Sequence, residues 1–427
     1  MKMPHWPKPI GLLQNETSLQ RMQEILQKLG NPHLHLPPVI HIAGTNGKGS
    51  TLAFLQSMLE AAGKAVHKYI TPHLVDFNER ITLAGQQITD DELFEVMEEV
   101  RINADGLALG FYEATTAGAF LAFSRHKADF LLLETGLGGR LDATNMVPNP
   151  IINIISTVDV DHTDFLGNTP PEIASQKVHI IKRGAYCISS LQHESVYPVI
   201  ANWCAKVGAE FAAYEYDFAI QKTETGFKFL FSEENPSLTL PLREGTVGVA
   251  SPLPEGGNQL TPLPEGGNQL TPLPEGGVGG GFVDLPKPAL VGEHQYINAA
   301  SAVAAALKLG IAPEHIALGI KNAKWPSRLE KIEKPFVPHG FEFWLDGAHN
   351  PAGAFAVANF VAENWQDKPT YIIYGTTRGR NVANFLQYFK SYPIALAKIK
   401  AEPNSYDPKA LLSIDIPKPN LSIRPGA

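Results

Sequence analysis

Cysteine is nearly absent: the 427 residues hold two, Cys187 and Cys204. Neither belongs to a CxxC pair, which excludes a disulfide framework and a thiolate zinc site. An excess of basic charge is missing as well. Lys and Arg number 35 against 43 Asp and Glu, a net charge of −8. That balance excludes a general nucleic-acid-binding surface while leaving room for a local basic site. No run approaches the roughly 18 apolar residues of a membrane span. The N-terminal "MKMPHWPKPIGLLQ" lacks the apolar core of a signal peptide. What is present is the composition of a soluble globular protein, 44% hydrophobic and 18% charged. The length suits two or three domains. A monomeric cytoplasmic enzyme acting on small molecules, with neither nucleic acid nor membrane as partner, is the expectation.

Short apolar runs alternate with helical patterns. "VIHIA" (39–43) is β-branched, and the segment after it sets Leu52, Leu55, Leu59 and Ala62 on one helical face before Gly63. "AVHKYI" (65–70) reads as the next strand. Helical spacing returns at 90–100 and 113–127. "DFLLLE" (129–134) and "IINIIST" (151–157) are continuous apolar runs, as strands buried on both faces should be. The fold class is therefore α/β, a doubly wound, mostly parallel sheet. A helical pattern at 288–310 leads to "KWPSRLEKI" (324–332), read as a hinge. Beyond it come a strand at 341–347, a helix at 352–365 and a strand at 370–375. The domains expected are 1–325 and a smaller α/β domain, 326–427.

One region differs. Residues 251–277 read "SPLPEGGNQLTPLPEGGNQLTPLPEGG". The unit is too short and too poor in apolar residues for a solenoid repeat. It is expected to be a flexible surface insertion, spanning 245–281 with its flanks.

The chemistry gathers at strand ends, where ligands bind in open α/β sheets. After 39–43 comes Gly44-Thr45-Asn46-Gly47-Lys48-Gly49-Ser50-Thr51. The common phosphate loop is G-x-x-x-x-G-K-[S/T]; here Gly49 separates Lys48 from the hydroxyl of Ser50. After 65–70 comes Thr71, after 129–133 Glu134, and after 151–157 the stretch "VDVDHTDFLG" with His162. A hydroxyl and a carboxylate suit a magnesium ion that already holds phosphate oxygens; an imidazole is the least expected ligand. Taken singly, Glu134 reads as a solvated strand-end carboxylate and His162 as a structural histidine. A signalling GTPase would need Asn-Lys-x-Asp after its later strands. The nearest string, "HKAD" (126–129), has His126 for asparagine and stands in the wrong order.

With those residues in place the sequence resembles a family. "GTNGKGS" is similar to the loop of the Mur ligase superfamily of ATP-dependent amide-forming ligases. "TPHLVDFNERI", "ETGLGGRLDATN", "DHTDFLGNTPPEIASQK", "GEHQYINAA", "WPSRLE" and "DGAHNP" follow in the order of folylpolyglutamate synthase/dihydrofolate synthase. The resemblance implies a Mur ligase-like first domain and a Rossmann-like second one. It implies that Thr45, Asn46, Gly47, Lys48, Gly49 and Ser50 hold the ATP phosphates, and that Asn298, Arg328 and Asp346 bind base, phosphates and ribose. Thr71, Glu134 and His162 would ligate magnesium, two ions in all, with Lys177 carbamylated to serve the second. Lys48, Lys177 and His349 would be catalytic. Glu16, Thr17, Phe111, Tyr112, Glu113, Leu141, Asp142 and Ala143 would meet the pterin substrate. The reaction implied is addition of L-glutamate to dihydropteroate and to reduced folates through an acyl phosphate, releasing ADP and phosphate.

Three departures stand out. Val178 and His179 follow Lys177 where the family has smaller residues. "GTTRGRN" (375–381) replaces an acidic-basic-acidic run. The chain ends at "LSIRPGA" without a closing strand, so a shortened second domain with an exposed sheet edge is expected. Two other readings stay open. One is a Mur-type ligase for another carboxylate, which would carry an N-terminal UDP-binding domain where only residues 1–38 precede the first strand. The other is a catalytically weak nucleotide-binding remnant.

Overall fold

A computed structural model describes residues 6–7, 17–231, 248–249, 281–335, 337–378, 380–399, 405–407 and 421–423. The chain divides into two compact units, Met1–Ala289 with Gln295–Lys324, and Leu290–His294 with Trp325–Ala427.

The first unit is built on β1 (Val39–Ala43), β2 (Val66–Tyr69), β3 (Ile81–Leu83), β4 (Gln86–Gln87), β5 (Phe130–Glu134), β6 (Ile152–Ile155), β7 (Tyr186–Ser189) and β8 (Glu210–Ala213). They form an eight-stranded sheet in the order β4-β3-β2-β5-β1-β6-β7-β8. Strands β2, β5, β1, β6, β7 and β8 run parallel. Strands β3 and β4 add an antiparallel edge. Every residue of β1 and β6 is buried, which is why, His41 and Asn153 apart, their sequences are apolar without alternation.

Helices cover both faces. On one side α1 (Ser18–Lys28), α3 (Asp90–Asn103) and α4 (Phe111–Arg125) place Met22, Ile25, Val96, Met97, Phe120 and Phe123 in one core. A second core joins α6 (Pro170–Lys177) and α7 (Tyr197–Val207) through Ile173, Ile180, Val196 and Ile200. Helix α2 (Lys48–Ala61) has Phe54 and Met58 buried as fully as Leu52, Leu55 and Leu59. The apolar face expected from the sequence is thus widened by Phe54 and Met58, while Glu60 stays exposed. The cause is that α2 lies against the sheet and also against α9 (Pro313–Asn322).

Several boundaries differ from the sequence reading. The run 65–70 narrows to Val66–Tyr69, and 151–157 to Ile152–Ile155. Ser156 and Thr157 leave the strand to floor the neighbouring loop. The helix expected within 288–310 starts at His294, as α8 (His294–Lys308). A smaller antiparallel sheet joins β9 (Phe218–Lys222), β10 (Gly226–Phe231), β11 (Gly248–Val249) and β12 (Gly281–Pro286) in the order β11-β12-β10-β9. Strand β11 and the first residue of β12 fall inside the span 245–281 expected to be an insertion, where Val249 pairs with Gly281. The repeats themselves lie outside the described residues.

In the second unit the strand expected at 341–347 shrinks to β14 (Trp344–Leu345), paired with β13 (Glu330–Lys331). The strand expected at 370–375 narrows to β15 (Ile372–Tyr374), which leads a parallel sheet with β16 (Ile394–Leu396) and β17 (Leu421–Ile423). Helices α10 (Pro351–Asn364) and α11 (Val382–Leu386) share a core with it through Ala354, Phe385 and Leu386, beside Tyr374, Ile394 and Leu396. Among the described residues no helix is long and apolar enough to cross a membrane.

Candidate active site

Parallel pairing sets the strand ends side by side. Ala43 pairs with Ile155, Ile42 with Glu134, and Tyr69 with Leu133. The chain therefore leaves the sheet at Gly44, Thr71, Thr135 and Ser156 along one edge, on the adjacent strands β2, β5, β1 and β6.

The phosphate-type loop owes its shape to close packing. Gly47 caps α2 with a left-handed φ of 89°, and a Cβ there would lie 2.3 Å from Asn298 Oδ1. A Cβ on Gly44 would lie 1.8 Å from Ser156 Oγ. The Thr45 and Asn46 amides donate to the Thr157 carbonyl (2.9 and 3.1 Å). The Thr45 hydroxyl donates to the Asp159 carbonyl (2.9 Å) and accepts from the Asp159 amide (3.0 Å). Thr51 N–H makes the first bond inside the helix, to Gly47 O. The amides of Gly47, Lys48, Gly49 and Ser50 thus stand at the helix N-terminus without intrahelical acceptors, a ready cradle for an anion. Lys48 Nζ donates to Gly44 O (3.1 Å) and lies 4.0 Å from Glu134 Oε1.

Lys177 meets the same carbonyl. From the end of α6 its Nζ donates to Gly44 O (2.8 Å). Burial, then the charge of Lys48, pushes its pKa down to about 7. The loop 136–145 is seated directly on this helix end: a Cβ on Gly139 would lie 2.8 Å from the carbonyl oxygens of Gln176 and Lys177. Val178 enters the core with Ile173 and Ile180. The His179 ring packs on Trp203, with centroids 4.3 Å apart. The larger residues after Lys177 thus have places in the α7 layer.

Glu134 is buried, and its Oε2 accepts from the Thr71 amide (3.0 Å). His162 is exposed, with φ 51°, at the start of α5 (Thr163–Leu166). Its amide donates to Asp161 Oδ1 (2.8 Å), and its ring Nε2 lies 3.9 Å from Asp161 Oδ2. Among the described residues no three His, Cys, Asp or Glu side chains gather as a metal cluster. Glu134 and Thr71 come together through the Thr71 amide hydrogen bond. A buried carboxylate beside a hydroxyl residue and an amide-lined anion cradle is donor chemistry that fits a hard cation sharing its shell with phosphate oxygens.

Of the residues expected to meet a pterin, Glu16 lies outside the described residues. The Thr17 hydroxyl accepts from Arg21. Glu113 is committed elsewhere: its Oε2 accepts from Arg21 Nε (3.0 Å) and from Gly110 N (2.9 Å), tying α1 to the start of α4. Phe111 and Leu141 are half-buried. The Tyr112 hydroxyl is buried with no hydrogen-bond partner, and burial pushes its pKa well above 10.0. Asp142 is fully buried. Its Oδ2 accepts from Leu137 N (2.8 Å), and its Oδ1 from Thr144 N (3.0 Å) and Thr144 Oγ1 (2.6 Å). It clamps its own loop and presents no surface, while Ala143 beside it is buried too.

Asn298, against Gly47, donates to Gln295 Oε1 (3.0 Å). In the second unit Asp346 Oδ2 accepts from Leu329 N (2.8 Å) and Oδ1 from Ala348 N (2.7 Å). Burial raises this carboxyl's pKa. Arg328 Nη1 donates to Ser327 O (3.1 Å), and the exposed His349 places Nδ1 2.9 Å from Gly347 O. Two features escaped the sequence reading. The hold of Asp159 on Thr45 runs through the Asp159 main chain and so had no signal in its side chain. Buried His41 in β1 had one in being the only polar residue of "VIHIA".

No family model matches the chain. It is 31% identical over 392 residues to dihydrofolate synthase/folylpolyglutamate synthase of Bacillus subtilis, covering 88% of this chain and 80% of that protein. Among solved structures it is similar to Escherichia coli FolC in complex with DHPP and ADP: TM-score 0.76, 25% identity, 98% of this chain and 85% of the other. The folylpolyglutamate synthase/dihydrofolate synthase of Yersinia pestis, complexed with AMPPNP and a Mn ion, shares the fold at TM-score 0.74, with 23% identity over 98% of this chain and 86% of the other. The chain belongs to the dihydrofolate synthase/folylpolyglutamate synthase family of ATP-dependent ligases.

Proposed function

We propose that this chain, as a cytoplasmic monomer, joins L-glutamate to the carboxylate of dihydropteroate and then to the glutamate tail of reduced folates. One observation carries the reading. Lys48 and Lys177 converge on the Gly44 carbonyl at the amide-lined end of α2, with Glu134 4.0 Å from Lys48. This is a site built for a polyanion beside a cation. The neighbour bound to DHPP and ADP supports a pterin and a nucleotide as ligands.

A carboxylate is a poor electrophile, so the γ-phosphoryl of ATP goes to it first. The amides of Gly47, Lys48, Gly49 and Ser50 hold the phosphates, with Thr45 and Asn46 shaping the loop beneath. Lys48 balances charge on the phosphoryl in flight. Glu134, Thr71 and His162 would hold magnesium, which supplies further charge neutralisation there. Lys177, with its pKa lowered to about 7, is substantially a neutral amine near neutral pH. Only a neutral amine adds to carbon dioxide, so the geometry suits the carbamate that would ligate a second ion. Asn298 approaches the base; Arg328, Asp346 and His349 serve phosphates, ribose and the transferred phosphoryl. Thr17, Phe111, Tyr112 and Leu141 meet the pterin, with Glu113, Asp142 and Ala143 holding those elements in place. The amine of glutamate then attacks the acyl phosphate, releasing phosphate. Water must be kept out until that step is complete.

The test is purified protein with ATP, magnesium, glutamate and dihydropteroate, read by mass spectrometry. A glutamate adduct is expected, together with its loss, by about 10³-fold in kcat, in Lys48→Ala. ATP binding without any adduct, from dihydropteroate or a reduced folate, would leave the nucleotide-binding remnant as the correct reading.

A further inference from the structure

The strand that feeds the phosphate loop carries a histidine that none of the steps above uses. His41 is the central residue of β1 and is completely buried. Its Nε2 lies 2.9 Å from Thr144 Oγ1 and 3.1 Å from Thr135 Oγ1. Those threonines belong to different arms of the site. Thr135 directly follows Glu134, and Thr144 lies in the loop 136–145 that Asp142 clamps.

The chemistry sets the direction of each bond. Thr144 Oγ1 stands 2.6 Å from Asp142 Oδ1. A carboxylate only accepts, so the threonine proton points at Asp142. The Thr144 oxygen must then accept from His41, which puts the imidazole proton on Nε2. The other tautomer would set a bare Nε2 against the Thr144 oxygen at 2.9 Å with no proton between them, leaving only the Thr135 hydroxyl to donate to it. Nδ1 is left buried and without a partner. Burial pushes the His41 pKa down to about 3, so the ring stays neutral. An apolar residue would fill β1 without stranding that nitrogen, so packing alone does not account for a histidine here.

We propose that His41 is a positioning residue for the acceptor substrate: its neutral imidazole pins the loop 136–145 to the phosphate strand through Thr144 and Asp142. This rests on the reading that Leu141 of that loop meets the pterin. Three residues past His41, at Gly44, the chain becomes the phosphate loop, so one buried ring sets the spacing between the phosphoryl donor and its acceptor. Spacing of this kind governs phosphoryl transfer more than any covalent help does.

The experiment compares His41→Leu, Thr144→Val, the double variant and His41→Gln with the unmodified chain. It reads dihydropteroate affinity by fluorescence titration and steady-state KM for dihydropteroate and for ATP. Both single variants should weaken dihydropteroate about tenfold and leave ATP within about twofold. The double variant should lose no more than either single one, because both cut one chain of bonds. His41→Gln, which keeps a donor, should recover most of the loss. Multiplying effects in the double variant overturn the proposal, as does an equal rise in KM for ATP. Should His41→Leu fail to fold, Thr144→Val decides: dihydropteroate affinity unchanged there overturns it. The titration separates the two readings. An unmodified chain that binds dihydropteroate but forms no adduct sinks the ligase and leaves this comparison intact; one that does neither overturns both.

Discussion

Two loops of this chain, both proposed to serve the nucleotide, are shaped on opposite principles. The first, 44–51, is shaped by steric exclusion. Side chains fill the space above Gly44 and Gly47, at 1.8 and 2.3 Å from where a Cβ would stand, and the Gly44 carbonyl takes two lysines. The second, 346–350, is shaped by hydrogen bonds. The Asp346 carboxylate holds Leu329 N and Ala348 N, and Asn350 caps α10 through Gly353 N (2.9 Å). A Cβ on Gly347 would meet only the guanidinium end of Arg328 closely, at 2.6 Å, with Ser327 O at 3.5 Å. At Gly44 the Ser156 Cβ and carbonyl, at 2.9 and 3.0 Å, cannot yield without moving the end of β6, whereas the end of a long side chain such as Arg328 can swing away. The first loop should therefore be intolerant of added volume and the second forgiving.

Gly44→Ala is where the contrast should be largest. The new methyl meets Ser156 Oγ at 1.8 Å, Ser156 Cβ at 2.9 Å and the Ser156 carbonyl at 3.0 Å. Rotating the serine relieves only part of this. The variant should lose about 2–3 kcal/mol of stability and bind nucleotide at least about 100-fold more weakly. Thermal unfolding and nucleotide titration check both. Adding Ser156→Gly should restore part of each, since two of the three contacts then vanish. Unaltered nucleotide affinity in Gly44→Ala would break the contrast.

A second, smaller effect sharpens it through charge. The Lys177 pKa falls from 10.5 to about 7, mainly by burial. Between those values the unfolded chain binds more protons than the folded one, so stability rises with pH across that window and is flat below it. Lys177→Met, of similar length and uncharged, lacks the rise. Denaturant unfolding at pH 6, 8 and 10 in carbonate-free buffer should show the two stability curves diverging as pH increases. Parallel curves would mean that the packed loop does not hold this amine away from water.

The same contrast explains what the sequence made legible. β-branched "VIHIA" followed by a glycine loop marked β1 and α2 because burial and anion binding act on neighbours in the chain. Strands β5 and β6 were legible because parallel strands covered on both faces must be apolar. The Lys177–Gly44 contact was not, since it spans 133 residues and depends on Gly139 seating against the end of α6. Ser156 and Thr157 looked like strand because their side chains suit one; the Thr157 carbonyl turns instead to the loop amides. Asp142 and Glu113 were carried over as substrate residues by the resemblance, from their places in the motifs. Here their oxygens accept from amides, the Thr144 hydroxyl and an arginine, which only side-chain direction reveals. His41 was hidden for the opposite reason, as one polar residue in an apolar strand whose partners lie about a hundred residues away.

Gly347→Ala should give the smallest effect and isolate the side chain that the second loop displays. The Gly347 φ lies outside the left-handed region, so alanine brings no backbone strain. Its methyl displaces only Arg328 Nη1, whose part-buried bond to Ser327 O is a single hydrogen bond of modest net worth. Stability should change by less than about 0.5 kcal/mol. The guanidinium, pushed aside, should then serve the phosphates less well, raising KM for ATP about fivefold, the scale of one charge-assisted hydrogen bond. Arg328→Ala provides the reference, and Gly347→Ala should approach it without exceeding it. If Gly347→Ala lowered the melting temperature as far as Gly44→Ala, the second loop would be close-packed after all. If KM for ATP stayed fixed in both Gly347→Ala and Arg328→Ala, Arg328 would have no part in binding the phosphates, and the chemistry of the second loop would rest on Asp346 and His349.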